Sequence, residues 1–103
     1  MPFTINRGKE RTDVESILCL DIPIQMISCT DTTGKITPMK FRFCDRKGEI
    51  ITITIAKILS TDQEHSSLGA SFVCEAPLYG MQRTFHLRYS YITHEWRMSR
   101  ISG

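Results

Sequence analysis

The chain has 103 residues, 41% apolar and 23% charged, the profile of one ordinary globular domain, which excludes a disordered or fibrous chain. A formal net charge of +2 is too small to point to nucleic acid by itself. No apolar run reaches membrane-spanning length, and Arg7, Lys9, Glu10, Arg11, Asp13 and Glu15 leave no room for a secretory signal, so a cytoplasmic protein is expected.

Residues 1–20 read as a partly flexible N-terminal arm. Thr12-Asp13-Val14-Glu15 matches a capping box, with Thr12 as N-cap and Glu15 at the third helical position. Either a short helix or a strand starting near Ser16 satisfies that stretch. Residues 21–103 read as a single β-barrel-like domain. Ile22 to Cys29 is the first strand, and Pro23 places either its start or a sheet edge there. Asp31-Thr32-Thr33-Gly34 then turns the chain. Ile36 to Cys44 is the second strand, with Met39, Phe41 and Phe43 on the apolar side and Pro38 marking an edge or a bulge. Asp45-Arg46-Lys47-Gly48 repeats the Asp-x-x-Gly turn fourteen positions after the first. Asp suits the first position of such a turn because its carboxylate accepts backbone N–H groups further along. Gly suits the last because it tolerates positive φ.

Glu49 to Ile58 is the third strand, where Ile51, Ile53 and Ile55 alternate with Thr52, Thr54 and Ala56. Leu59 to Ala70 is polar and reads as a long loop, with a helical turn within Ser60–Leu68. Ser71 to Leu78 and Gln82 to Tyr91 are the fourth and fifth strands, joined at Tyr79-Gly80. Glu95 to Ile101 is the sixth, with Trp96 and Met98 on its apolar face. About six short antiparallel strands at roughly ten-residue spacing predict an all-β fold, a small barrel or a strongly bent sheet. The expected core is Ile24, Met26, Met39, Phe41, Phe43, Ile51, Ile53, Ile55, Phe72, Cys74, Phe85, Leu87, Tyr89, Trp96 and Met98.

Few residues point to chemistry. Cys19, Cys29, Cys44 and Cys74 lie 10, 15 and 30 residues apart, without the close pairs that zinc sites use. In strands, free cysteines pack as small hydrophobes, which is the expectation for Cys29, Cys44 and Cys74. His65, His86 and His94 are dispersed. No phosphate-binding glycine loop or paired carboxylates occur. No catalytic residue, metal or cofactor is therefore expected.

The pattern with physical content is cationic. All four bases of residues 71–103 are arginines, against Glu75 and Glu95. On outward strand positions, Lys40, Arg42, Arg83, His86, Arg88 and Arg97 form a basic stripe if their strands are neighbours. Such a stripe suits a phosphate backbone, with Tyr79 at a turn available for base stacking. It equally suits the solvated face that any half-wet sheet needs.

From Ile22 onward the chain resembles a group of short, uncharacterised all-β cytoplasmic proteins of Gram-positive bacteria. The residues that carry the resemblance are Ile22-Pro23-Ile24-Gln25-Met26-Ile27, the run from Gly34 to Phe43, Asp45-Arg46-Lys47-Gly48-Glu49 and Trp96. The resemblance implies a cytoplasmic β fold and no chemistry. Taken together, these readings predict a non-enzymatic binding module that docks a protein partner. Its alternatives are a nucleic-acid-binding barrel using the basic face and, behind it, a small enzyme with a site at the barrel mouth.

Overall fold

A computed structural model describes residues 21–102. The predicted arm, helix and Cys19 lie outside these residues. The fold is all-β, and no helix occurs among the described residues. The strands are β1 (Ile22–Thr30), β2 (Ile36–Cys44), β3 (Ile50–Thr54), β4 (Lys57–Asp62), β5 (Gly69–Leu78), β6 (Met81–Ser90) and β7 (Trp96–Ser102). They form one antiparallel sheet in the order β3-β2-β1-β7-β6-β5-β4, strongly curled into a half-barrel.

Seven strands replace the expected six because the third one breaks. β3 pairs with β2, β4 pairs with β5, and only Ile55 and Ala56 separate them. The Ile55 N–H donates to the Met39 carbonyl of β2 at 2.9 Å, and the Ala56 N–H donates to the Glu75 carbonyl of β5 at 2.9 Å. Two residues thus carry the chain from one end of the sheet to the other. A second tie comes from the Gln63 side chain. Its amide carbonyl accepts the Ile36 N–H and its NH2 donates to the Ile36 carbonyl, both at 2.9 Å, so it imitates a strand's pairing. The Tyr91 hydroxyl donates to the Gln63 carbonyl at 2.8 Å and fixes this latch.

The expected loop from Leu59 to Ala70 is corrected by this arrangement. Its first part is strand, and the connection shrinks to residues 63–68, with no helical turn. Ser60, Thr61 and Asp62 are exposed on an edge strand and need no apolar alternation. A bulge leaves Leu59 as an extra residue between the Ile58–Cys74 and Ser60–Val73 pairs, which also breaks the period.

Both Asp-x-x-Gly turns form as read. The Asp31 carboxylate accepts the N–H groups of Thr33 and Lys35 at 2.8 and 2.9 Å, and Asp45 accepts those of Lys47 and Glu49 at the same distances. Gly34 and Gly48 have φ of 90° and 86°. Tyr79-Gly80 is a two-residue hairpin loop with φ of 52° and 78°, closed by the Leu78–Met81 pair. Positive φ at both central residues gives the twist that matches the flanking strands.

The core holds Phe41, Phe43, Ile53, Phe72, Cys74, Phe85, Leu87, Trp96, Met98 and Ile101, with Ala70 and Ala76 between the larger groups. The Phe41 and Phe85 rings meet edge-on at 5.6 Å, and Trp96 touches Phe72 at 5.3 Å and Tyr89 at 5.0 Å. Burial pushes the Cys74 thiol up to about 11, so it is an inert filler. Ile24, Met26, Ile51, Ile55 and Tyr89 pack against this cluster as expected. Met39 does not. The register passes from Ile27–Lys40 to Ser28–Pro38, so Met39 is a bulged residue, half exposed, and Pro38 takes the buried position. Cys29 and Cys44 are exposed rather than buried, because both sit at outward positions near strand ends.

Two substitutions test the turns with opposite signs. A Cβ at Gly48 meets nothing within 4 Å, so Gly48→Val pays only the left-handed backbone penalty and should destabilise by about 1–2 kcal/mol. Tyr79 already carries that penalty, and Tyr79→Asn should stabilise by about 0.5–1 kcal/mol. Urea unfolding of both variants measures the two effects.

Candidate anion-binding face

Alternation in β6 and β7 decides where the arginines go. Leu87, Trp96 and Met98 are buried, with Tyr89 packed against the core, so Arg88 and Arg97 point outward, and the register makes them direct cross-strand partners. Like charges placed opposite each other on a sheet repel. Here a carboxylate resolves the repulsion. Asp21 precedes β1, whose Pro23 pairs with Arg97, and this pairing brings Asp21 onto the arginines. The Arg88 guanidinium donates through Nη2 to Asp21 Oδ2 at 3.0 Å, and Arg97 donates through Nε to Oδ1 at 3.1 Å. Arg97 Nη2 also donates to the Asp21 backbone carbonyl at 2.8 Å. Partial burial pushes the Asp21 carboxyl up, but the hydrogen bonds and charges of Arg88 and Arg97 outweigh it and hold the group below its ordinary value of 3.8.

Arg88 and Arg97 also line an open depression of about 350 Å³. The hydroxyls of Ser66, Ser71, Ser90 and Thr93 line it too, as does Glu95. Asp21 is not part of that lining. Ser90 Oγ accepts the N–H groups of Ile92 and Thr93 at 3.2 and 3.0 Å, which leaves its own proton to donate. Exposed Leu68 and Ile92 stand on the two loops beside it, which are joined by the Tyr91 N–H donating to the Leu68 carbonyl at 2.9 Å.

The other residues of the expected stripe lie elsewhere. Lys40 stands between Ile27 and Thr54, and Arg42 between Gln25 and Thr52. Arg42 donates to the Gln25 side-chain carbonyl. Gln25 and Arg42 line two neighbouring depressions, of about 370 and 390 Å³, along β1 and β2. His86 sits between Val73 and Arg100, where burial first and the Arg100 charge second lower its pKa. Arg83 lies near the other end of β6, its Nη2 against the Met81 sulfur at 3.8 Å and its Nε buried without a partner. The six residues therefore form separate groups, and only Arg88 and Arg97 share one acceptor.

Asp21 is the member of this charge cluster that sequence reasoning missed. It looks like one more acid before the first strand, and only the β1–β7 pairing, which joins the first and last strands, reveals its partners. The histidines stay apart: His65 contacts Asp62 at 3.0 Å and His94 contacts the Tyr89 hydroxyl at 3.0 Å. Among the described residues, no three His, Cys, Asp or Glu side chains group as a metal site. No helix among them is long and apolar enough to cross a membrane. No family model, curated protein or solved structure matches this chain.

The three side chains are 37–53% exposed, so solvent screens much of their attraction. Asp21→Asn should therefore cost only about 0.5–1 kcal/mol at neutral pH. A depressed carboxyl stabilises above its unfolded pKa, and that contribution disappears as pH falls through the folded value. The stability gap between wild type and Asp21→Asn should hold down to about pH 4 and close below it. Chemical denaturation across pH 2–7 measures the gap.

Proposed function

We propose that this chain is a non-enzymatic binding module that docks an acidic segment of a protein partner on the outer face of β6 and β7. The observation that carries the reading is that Arg88 and Arg97 already hold a carboxylate presented by a polypeptide. Guanidinium groups match carboxylate geometry with paired donors, and arginine is enriched at protein interfaces. The hydroxyl-lined depression beside the pair offers further donors, and Leu68 and Ile92 offer apolar contact at its edge. An interior site is not part of this reading, because aromatic and aliphatic side chains occupy the core. We place the module in the cytoplasm, where exposed Cys29 and Cys44 stay reduced.

Nucleic acid is the second reading, favoured by the phosphate-binding capacity of the same arginines. Against it, exposed Tyr79 lies beyond the far end of the ten-residue β6, roughly 30 Å from Arg88, and cannot stack a base whose phosphate Arg88 holds.

Fluorescence anisotropy with a labelled Glu/Asp-rich peptide and a labelled single-stranded DNA separates the two. Saturable binding of the peptide, weakened at least ~10-fold by Arg97→Gln, is expected, because loss of one charge-assisted contact costs about 1.5–3 kcal/mol. Preference for DNA, with affinity falling by roughly 0.7 log unit per contacted phosphate for each log unit of salt, would replace protein docking with the nucleic-acid reading.

A further inference from the structure

The charges at the arginine pair do not balance. Two guanidinium groups share one carboxylate, and Glu95 in the adjoining depression forms an ion pair with neither. The Asp21 carboxylate has two oxygens and uses both on the arginines. The hydroxyls of Ser71, Ser90 and Thr93 in the adjoining depression do not donate to it. A group with twice the charge and more oxygens would use both sets of donors. We propose that the Arg88–Arg97 pair is a site for a phosphate monoester on a partner protein, and that Asp21 is an intramolecular competitor that the phosphate displaces. The inference rests on the reading of this face as a docking surface and adds the class of ligand and its control.

The physical basis has three parts. The pair is accessible, with side chains 53% and 37% exposed, so an incoming anion reaches it without unfolding the sheet. Ser71 is the cross-strand neighbour of Arg88 on one side, as Arg97 is on the other, and Ser90 lies two positions further along β6 on the same outward side. The backbone positions that carry the guanidinium and hydroxyl donors are thus adjoining, about 5–7 Å apart, and both kinds of donor line one depression. Asp21 is tethered, so it faces a ligand as a high local concentration of carboxylate. Glu95 lines the depression as well and repels any anion there, a dianion more than a single carboxylate, so the two guanidinium groups and the hydroxyls must outweigh it.

Asp21 acts as a competitor only if removing it improves binding. If the pair is occupied by Asp21 about 90% of the time, freeing it raises apparent affinity about tenfold. The experiment follows the backbone amides of Ser71 and Ser90 and the Nε–H groups of Arg88 and Arg97 by NMR in the full chain, at pH 8 and constant ionic strength. The probes are inorganic phosphate, a phosphoserine peptide and the same peptide unphosphorylated. Asp21→Asn should bind inorganic phosphate about tenfold more tightly than wild type. Arg97→Gln on that background should abolish the binding, and unchanged amide dispersion shows that each variant is folded. The phosphopeptide should bind more tightly than inorganic phosphate and its unphosphorylated twin.

Equal or weaker phosphate binding by Asp21→Asn would overturn the proposal and make Asp21 a positioning residue for the arginines. Equal affinity for phosphopeptide and inorganic phosphate would overturn the assignment to a protein-borne group. An acidic peptide that binds while Asp21→Asn gains no phosphate affinity leaves protein docking standing and removes the competitor. A gain in phosphate affinity without any peptide binding does the reverse.

Discussion

The two-residue step through Ile55 and Ala56 is the constraint on which the rest of the structure depends. It takes the chain from hydrogen bonding with β2 to hydrogen bonding with β5, so the sheet's two end strands are neighbours in sequence and its ends are drawn together. Curling of this degree turns one face of every strand toward a single core. Phe41, Phe72, Phe85 and Trp96 then fill that core. What the outer face displays is fixed by register.

Register explains why an unfavourable pair of charges is tolerated. Two unit charges 4 Å apart interact by about 1 kcal/mol in water and about 4 kcal/mol near a protein surface. Arg88 opposite Arg97, both partly exposed and screened by solvent, therefore carries a cost toward the lower figure unless a counter-charge is close. Asp21 supplies it, and only because β1 pairs with β7 over Ile22, Pro23 and Ile24. A site whose two like charges share one internal counter-charge and stay open to solvent is one whose contents can be exchanged. A buried ion pair lacks that property, because losing one partner would strand a charge in a low-dielectric interior.

Local chemistry made much of the fold legible. The two Asp-x-x-Gly turns announce themselves because one carboxylate satisfies two backbone N–H groups and one glycine takes the left-handed φ. The alternation of Ile51, Ile53 and Ile55, and of Phe85, Leu87 and Tyr89, reads directly as one buried side. Features that arise from pairing between distant strands were not legible. Nothing around Met39 marks it as a bulge except Pro38, so its half-exposed side chain contradicts a period that holds on both sides of it. The polar run Ser60-Thr61-Asp62 looks like loop because an edge strand need not alternate. At the site, the outward direction of Arg88 and Arg97 was legible from period alone, but their common acceptor was not. Asp21 and Arg97 are joined by the first and last strands, and no local pattern encodes that contact.

The claim that one carboxylate holds both arginines is the most direct point at which to test this account. The Nε–H of Arg97 points at Asp21 Oδ1, so its side-chain NMR signal reports the contact itself. A resolved Arg97 Nε–H signal, shifted from that of free arginine and slow to exchange at neutral pH, is predicted. It should move to the free-arginine position in Asp21→Asn and, in wild type, as acidification passes through the lowered Asp21 pKa, below the ordinary 3.8. An Arg97 signal that matches free arginine in wild type at neutral pH, or that does not respond to Asp21→Asn, would contradict the account.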